Sequence, residues 1–232
     1  MRGRRPLMLA GTVTCALTWA VASWSAMAAA QPVTKAQAKT HLLVLKDLPK
    51  GWSTERGTAD TQNAAYPAGS TYIACLGPAA GLPEAVPPEV DSPYFQNKDG
   101  SQEIQDAISD FTTSAAAQSS FAALANPAFA GCASSALNAY MKSNPPQGGT
   151  VGTLTISPPL GAQFAAHTNG FVLTSPITSQ GQTIVMRSTT VFFVRGTLGQ
   201  QLTFTEYGGG SSGTPFPPAE IRRMITVAER KL

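Results

Sequence analysis

The sequence predicts an α+β domain in which helices pack on one face of an antiparallel sheet, preceded by a cleaved signal segment. Three observations predict it. Apolar residues recur at helical spacing near both ends of the domain, alternating apolar and polar residues fill its second half, and residues 1–30 combine a charged start with an apolar run. The domain is therefore residues 31–232, which is long enough to bury a substantial core.

The first thirty residues have the three parts of a secretory signal peptide. Arg2, Arg4 and Arg5 form the positive start, an uncharged apolar run follows, and small residues at 26–30 provide sites for signal peptidase. We expect export, cleavage near residue 30 and a secreted protein of the cell envelope. The alternative is that the run stays as a membrane anchor, because it is just long enough to span a bilayer. Membrane contact is expected only in that case.

The composition excludes several partners and cofactors. The net charge of +3 comes from the three arginines of the signal segment, so the exported chain is neutral and has no electrostatic reason to bind nucleic acid. The sequence contains no glycine-rich phosphate-binding motif, and His41 and His167 lack the spacing typical of a zinc site. We therefore predict no cofactor and no metal.

The first half of the domain predicts helices joined by irregular segments. Thr34 and Gln37 form a capping box that starts a helix. Residues 103–111 suit either a helix or a strand, and the helix start that follows at once favours a strand. The elements predicted in this half are a helix from Thr34, irregular surface at 77–93, a strand at 103–111, and helices at 113–126 and 132–142.

The second half predicts a sheet with one buried and one wet face, which is typical of antiparallel pairing. Residues 183–195 are the clearest strand: Ile184 and Phe192 face one way, whereas Arg187 and Thr189 face the other. The other strands predicted are residues 151–156, 163–166, 171–177 and 198–205, and a final amphipathic helix follows residue 218.

Two cysteines, Cys75 and Cys132, remain once the signal segment is removed. An even number in an oxidising compartment predicts a disulfide, which would stabilise the domain by ~4 kcal/mol in the chain-entropy model. The alternative is two separate buried thiols.

Two residues carry an enzymatic alternative. Residues 209–213 match the G-x-S-x-G pattern around Ser211, and His167 is a candidate general base. The hydrolase order requires a histidine after the serine, whereas both histidines precede Ser211, so a flexible glycine-serine loop explains the match better. The sequence therefore predicts no catalytic residue.

Asp106 and Asp110 would share one face of the strand predicted at 103–111. Paired carboxylates suggest a cation site or a glycosidase pair. Solvated strand edges carry such charges routinely, and that interpretation is favoured.

Aromatic residues suggest a pocket between the sheet and the helices. Ordinary core filling is the competing explanation for all of them. The candidate ligand-binding residues are Trp52, Phe164, Phe171, Phe192, Phe204 and Tyr207.

Three stretches of the domain carry a family resemblance. Leu42-Leu43 followed by Asp47-Leu48-Pro49-Lys50-Gly51-Trp52 is similar to an opening common in secreted and lipid-anchored actinobacterial proteins. Ile108-Ser109-Asp110-Phe111 leads through an alanine-rich helix to Cys132, and Val191-Phe192-Phe193-Val194-Arg195-Gly196 precedes a final strand and helix. Together these stretches resemble the extracellular sensor domains of PknH-type mycobacterial kinases. The resemblance implies an α+β domain with a cleft for a small extracellular ligand and no catalytic residues. Such domains usually carry two disulfides, whereas this chain offers one pair.

The function we expect is that of a secreted, non-enzymatic binding domain of the envelope, sensor-like, with a partly apolar cleft for a small or lipid-like ligand; its partner is that ligand or an envelope protein. Two alternatives stay open. A secreted hydrolase requires Ser211 or His167 to converge with a carboxylate. An envelope scaffold or adhesin predicts an exposed apolar patch without a cleft.

Overall fold

The structure is a computed structural model of the chain. The predicted signal segment and Ser211 lie outside the part that it describes, as does most of the segment at 77–93. The described residues are 33–54, 75, 89–143, 149–179, 181–209 and 215–232.

Nine strands among these residues form one sheet in which every pairing is antiparallel. Neighbours follow the order β1-β3-β4-β9-β8-β7-β5, while β2 pairs with β4 and β6 with β7. The strands are β1 (Ser53–Thr54), β2 (Glu89–Asp91), β3 (Phe95–Gln96), β4 (Gln102–Asp110), β5 (Gly149–Val151), β6 (Thr155–Ile156), β7 (Asn169–Ser179), β8 (Gln182–Arg195) and β9 (Leu198–Gly209).

Four helices accompany the sheet in the described residues, and the predicted α+β class is confirmed. The capping box of Thr34 and Gln37 is formed as predicted. Pro127 occupies the first position of its helix, where the missing N–H costs nothing, so that helix begins five residues earlier than expected. The helices are α1 (Lys35–His41), α2 (Ser114–Leu124), α3 (Pro127–Ser143) and α4 (Pro218–Glu229), with 3-10 turns at Leu45–Asp47 and Gly161–Gln163.

The long hairpins follow the predicted alternation. All of β9 pairs with β8 from Ile184 to Arg195, and Gly196 makes the tight link between the two strands with a φ of 62°. That left-handed conformation is costly for residues with a Cβ and free for glycine. The alternation of apolar and polar residues, with a glycine at the turn, is therefore enough to predict this part of the sheet.

The helices lie on both faces of the sheet rather than on one. On the first face, α4 and the 42–48 segment pack on alternate residues of β4, β8 and β9, among them Leu202 and Phe204. On the second face, α3 packs on Phe171 and Phe192, which by register point away from Leu202. Thr189, expected on a wet face, is buried on the first face for this reason. Alanine-rich helices show little apolar contrast, so the sequence does not reveal that they cover a second face.

Candidate ligand-binding cleft

The six aromatic residues proposed for a pocket do not lie together. Phe204 is fully buried on the first face, and Trp52 and Phe164 are partly buried against the same cluster. Phe171 and Phe192 lie on the second face with ring centroids 5.9 Å apart.

Tyr207 also points to the second face, where its hydroxyl donates to Glu103 Oε2 at 2.9 Å. Only three of the six aromatic side chains therefore belong to the first face.

A cleft of about 240 Å³ opens on the first face, between the sheet, α4 and the 3-10 turn at Gly161–Gln163. Its walls are mostly apolar and include Phe164, the one predicted aromatic residue that lines it. The lining residues are Leu160, Gln163, Phe164, Val172, Arg187, Thr189, Glu206, Pro215, Phe216, Pro217, Pro218 and Ile221.

Phe216 joins the cleft to the core. Its ring stacks on Trp52 with centroids 6.1 Å apart and meets Phe204 edge-on at 5.3 Å. Trp52 and Phe204 thus stand behind the wall that Phe216 forms. Sequence reasoning missed Phe216 because it lies among prolines, outside any helical or strand periodicity. The available signal was an aromatic residue just before an amphipathic helix, since an apolar residue at that position often packs against the first turns of the helix.

A buried carboxyl group, that of Glu206, forms part of the cleft lining. Glu206 points into the first face from β9, and its Oε1 accepts the Phe216 N–H at 2.6 Å. Burial raises the pKa of the Glu206 carboxyl above its ordinary value, although the Phe216 hydrogen bond and the charge of Arg187 act in the opposite direction.

The only described ion pair in the cleft is loose. Arg187 Nη1 lies 3.9 Å from Glu206 Oε2, and the Arg187 side chain is 47% exposed whereas that of Glu206 is 6% exposed. The cleft therefore combines apolar walls, a buried acid and a cation that faces solvent. Such an arrangement suits binding through apolar contact with one or two polar contacts.

His167, the described residue of the hydrolase alternative, does not contribute to this cleft. His167 lies exposed on the turn before β7 and is not among the lining residues. Ser211 falls outside the described residues.

Asp106 and Asp110 share a strand face, as predicted, but they are buried rather than solvated. Asp106 Oδ2 accepts the Leu43 N–H at 2.7 Å, and both of its oxygens accept the Gln200 side-chain amide at 2.9 Å. Asp110 Oδ2 accepts the Val33 N–H at 2.7 Å. The two carboxyl groups hold the N-terminal segment at both ends of α1. In the described residues no group of three or more acidic, histidine or cysteine side chains is arranged to hold a metal ion.

The predicted disulfide between Cys75 and Cys132 is formed, with Cα atoms 5.5 Å apart. It fastens α3, which carries Cys132, to a residue 57 positions earlier in the chain. Cys75 also packs against the apolar cluster between α3 and the second face. The bond therefore stabilises the side of the sheet opposite the cleft.

Comparison with known proteins adds a distant similarity. No family model matches the chain, and no curated protein matches it. The structure is similar to the extracellular domain of PknH from Mycobacterium tuberculosis, with a TM-score of 0.41 and 10% identity over 87% of this chain and 97% of that one. A likeness at this level assigns no function to the chain. Among the described residues, no helix has the length and hydropathy to cross a membrane.

Proposed function

We propose that this chain is a secreted, non-enzymatic binding domain of the cell envelope that takes a small or lipid-like ligand in the cleft on the first face of its sheet. The observation that carries the proposal is the cleft itself, whose walls are mostly apolar and include Phe164 and Phe216. Apolar walls favour ligands with apolar surface. Each Å² of that surface that moves from water into contact with the walls contributes about 25 cal/mol to the free energy of binding.

The size of the cleft supports a small ligand. An apolar cavity of about 150 Å³ is enough to bind benzene. The cleft has about 240 Å³, so a short alkyl chain or a single ring system fits it. A whole diacyl lipid exceeds this volume, and only one part of such a molecule would enter.

The disulfide supports the proposed compartment. Disulfides persist in oxidising environments and are rare in the cytosol. Together with the signal segment predicted at residues 1–30, the Cys75–Cys132 bond supports export.

Export is tested on protein recovered from its own producer. We expect an N-terminus near residue 31, recovery outside the cytoplasm, and no thiol that reacts with a labelling reagent before reduction. Recovery of reduced protein in the cytoplasm with the leader attached would overturn the proposed compartment.

Ligand binding is tested on the same preparation by native mass spectrometry and by titration with 1-decanol. Trp52 reports on the cleft, because it stacks on Phe216 and is the only tryptophan left after removal of the leader. We expect a retained ligand as added mass, or a saturable change in Trp52 fluorescence with 1-decanol.

A filling variant and a matched control locate the site. Val172→Trp places a large ring in the cleft from β7, whereas Ile184→Trp adds the same ring at an exposed position on β8 outside the lining. We expect Val172→Trp to lose 1-decanol binding and Ile184→Trp to keep it, with unchanged far-ultraviolet circular dichroism for both. Binding by these variants is measured by calorimetry, because the added tryptophan obscures the fluorescence of Trp52. Failure of the wild type to bind, or equal binding by both variants, would overturn the proposed site.

A further inference from the structure

We infer that the cleft selects amphiphiles with a carboxylate headgroup, and that Arg187 binds that carboxylate while the alkyl chain lies between Phe164, Phe216 and Ile221. The inference rests on the proposed function, because it names the class of ligand for the same cleft. A medium-chain carboxylic acid in its ionised form is the simplest molecule of this class.

Arg187 is placed to contact a ligand in the cleft. Arg187 lies on β8 opposite Glu206 on β9 and Thr174 on β7, so its side chain leaves the first face of the sheet into the cleft. It is the only cationic side chain among the described residues that line the cleft, and nearly half of it is exposed. The charge therefore stands at the solvent side of an apolar pocket.

The guanidinium group of Arg187 has N–H donors that remain for a ligand. A guanidinium group has five N–H donors in a planar fork. Its ion pair with Glu206 is 3.9 Å long, beyond the range of a hydrogen bond. A ligand carboxylate can accept two parallel hydrogen bonds from such a fork, and these are stronger than bonds between neutral groups.

The state of Glu206 decides between an anionic and a cationic ligand. An amine ligand would need access to the Glu206 carboxylate, but that group is buried, and its Oε1 already accepts the Phe216 N–H. Arg187 is the group that a ligand reaches first. Glu206 also disfavours a doubly charged phosphate monoester beside it, because like charges repel at this range. A singly charged carboxylate fits best.

The test compares three probes with the same alkyl chain: decanoate, 1-decanol and decyl phosphate. Binding is measured by calorimetry at about pH 8, where a carboxylic acid is ionised. We expect wild type to bind decanoate about tenfold or more tightly than 1-decanol, in line with the strength of charged hydrogen bonds, and more tightly than decyl phosphate. Raised salt should weaken decanoate binding and leave 1-decanol binding unchanged.

Two arginine variants on the same strand identify the anchor. Arg187→Gln should weaken decanoate binding about tenfold and leave 1-decanol binding unchanged. Arg195→Gln is the matched control, because Arg195 is exposed on β8 and does not line the cleft, and it should change neither affinity.

The outcomes separate this inference from the proposed function. If decanoate and 1-decanol bind equally and Arg187→Gln changes neither, the carboxylate preference is wrong and the apolar cleft stands. If decyl phosphate binds most tightly, the headgroup class is wrong. If none of the three probes binds wild type, the proposed function itself fails.

Discussion

Two buried carboxyl groups on the first face of the sheet, Asp106 on β4 and Glu206 on β9, make a controlled comparison. Both come from adjacent strands, both are almost inaccessible to solvent, and both accept a backbone N–H from a segment that crosses the sheet. They differ in what covers them. The 42–48 segment closes over Asp106, whereas Phe216 and its prolines cover Glu206 only in part and leave the cleft beside it.

In these two regions one kind of side chain serves two purposes. The sealed Asp106 has three hydrogen bonds to its oxygens, from Leu43 and Gln200, and works as a structural clasp. Glu206 has one hydrogen bond and a loose ion pair, so its surroundings keep polar capacity for a ligand. Both carboxyl groups are buried, but only that of Glu206 lies beside a cleft. This difference separates a structural site from a candidate binding site.

Titration of Asp106 should change the stability of the domain more than any other test of this comparison. Burial raises the pKa of Asp106 to about 7 from 3.8, although bonds from Gln200 and Leu43 oppose the shift. The folded domain therefore keeps this proton between about pH 4 and pH 7, whereas the unfolded chain releases it. The free energy of unfolding should fall as pH rises through this window, by up to about 4 kcal/mol.

Asp106→Asn is the control for that prediction, because it cannot titrate and still offers an acceptor to Leu43. Urea unfolding of both proteins from about pH 4 to pH 8 gives the difference in stability. A difference that stays constant across this range would show that Asp106 is not sealed.

The next effect is the loss of the clasp itself. Asp106→Leu leaves the Leu43 N–H and the Gln200 amide without their acceptor in a region closed to water. We expect a loss of about 3 kcal/mol at about pH 5, because each buried unpaired donor costs about 1–3 kcal/mol. Chemical denaturation measures the loss, and Asp106→Asn should recover most of it.

Truncation of Glu206, which lies beside the cleft, should reduce the free energy of unfolding by less than truncation of Asp106 does. Glu206→Ala removes the acceptor of the Phe216 N–H, but water from the cleft can replace it. We expect a loss of about 1 kcal/mol in the same denaturation experiment. A loss as large as that of Asp106→Leu would mean that the two regions are equally sealed.

The smallest effect concerns Arg187. The ion pair of Arg187 with Glu206 is 3.9 Å long and its arginine is nearly half exposed, so the pair contributes little to stability and Arg187→Gln should change the free energy of unfolding by no more than about 0.5 kcal/mol. Thermal unfolding without ligand measures it. A larger loss would assign Arg187 a structural role and would weaken its interpretation as a ligand anchor.

The fold was predictable where the signal is local. The hairpin of β8 and β9 follows from alternation, and α1 follows from its capping box. The strand at 103–111 follows from the helix start that comes directly after it. β2 and β3 are too short to stand out from a proline-rich stretch, and only their pairing with β4 makes them strands.

The candidate site was predictable only in part, because it depends on contacts distant in sequence. Phe164 was predicted and lines the cleft, whereas Phe216 and Arg187 were not recognised as lining residues. The burial of Asp106 had a local signal, since it lies between Ile104 and Ile108 on one strand face. That signal indicates burial but cannot name Leu43 and Gln200 as the partners.

The hydrogen bond from Val33 to Asp110 has a consequence for how the chain is made. Only residues 31 and 32 lie between Val33 and the predicted end of the leader, and they reach at most about 7 Å. A peptidase needs several extended residues around its cut, and a docked Val33 leaves too few. We therefore expect removal of the leader to come first and closure of the α1 clasp to be a late step in maturation.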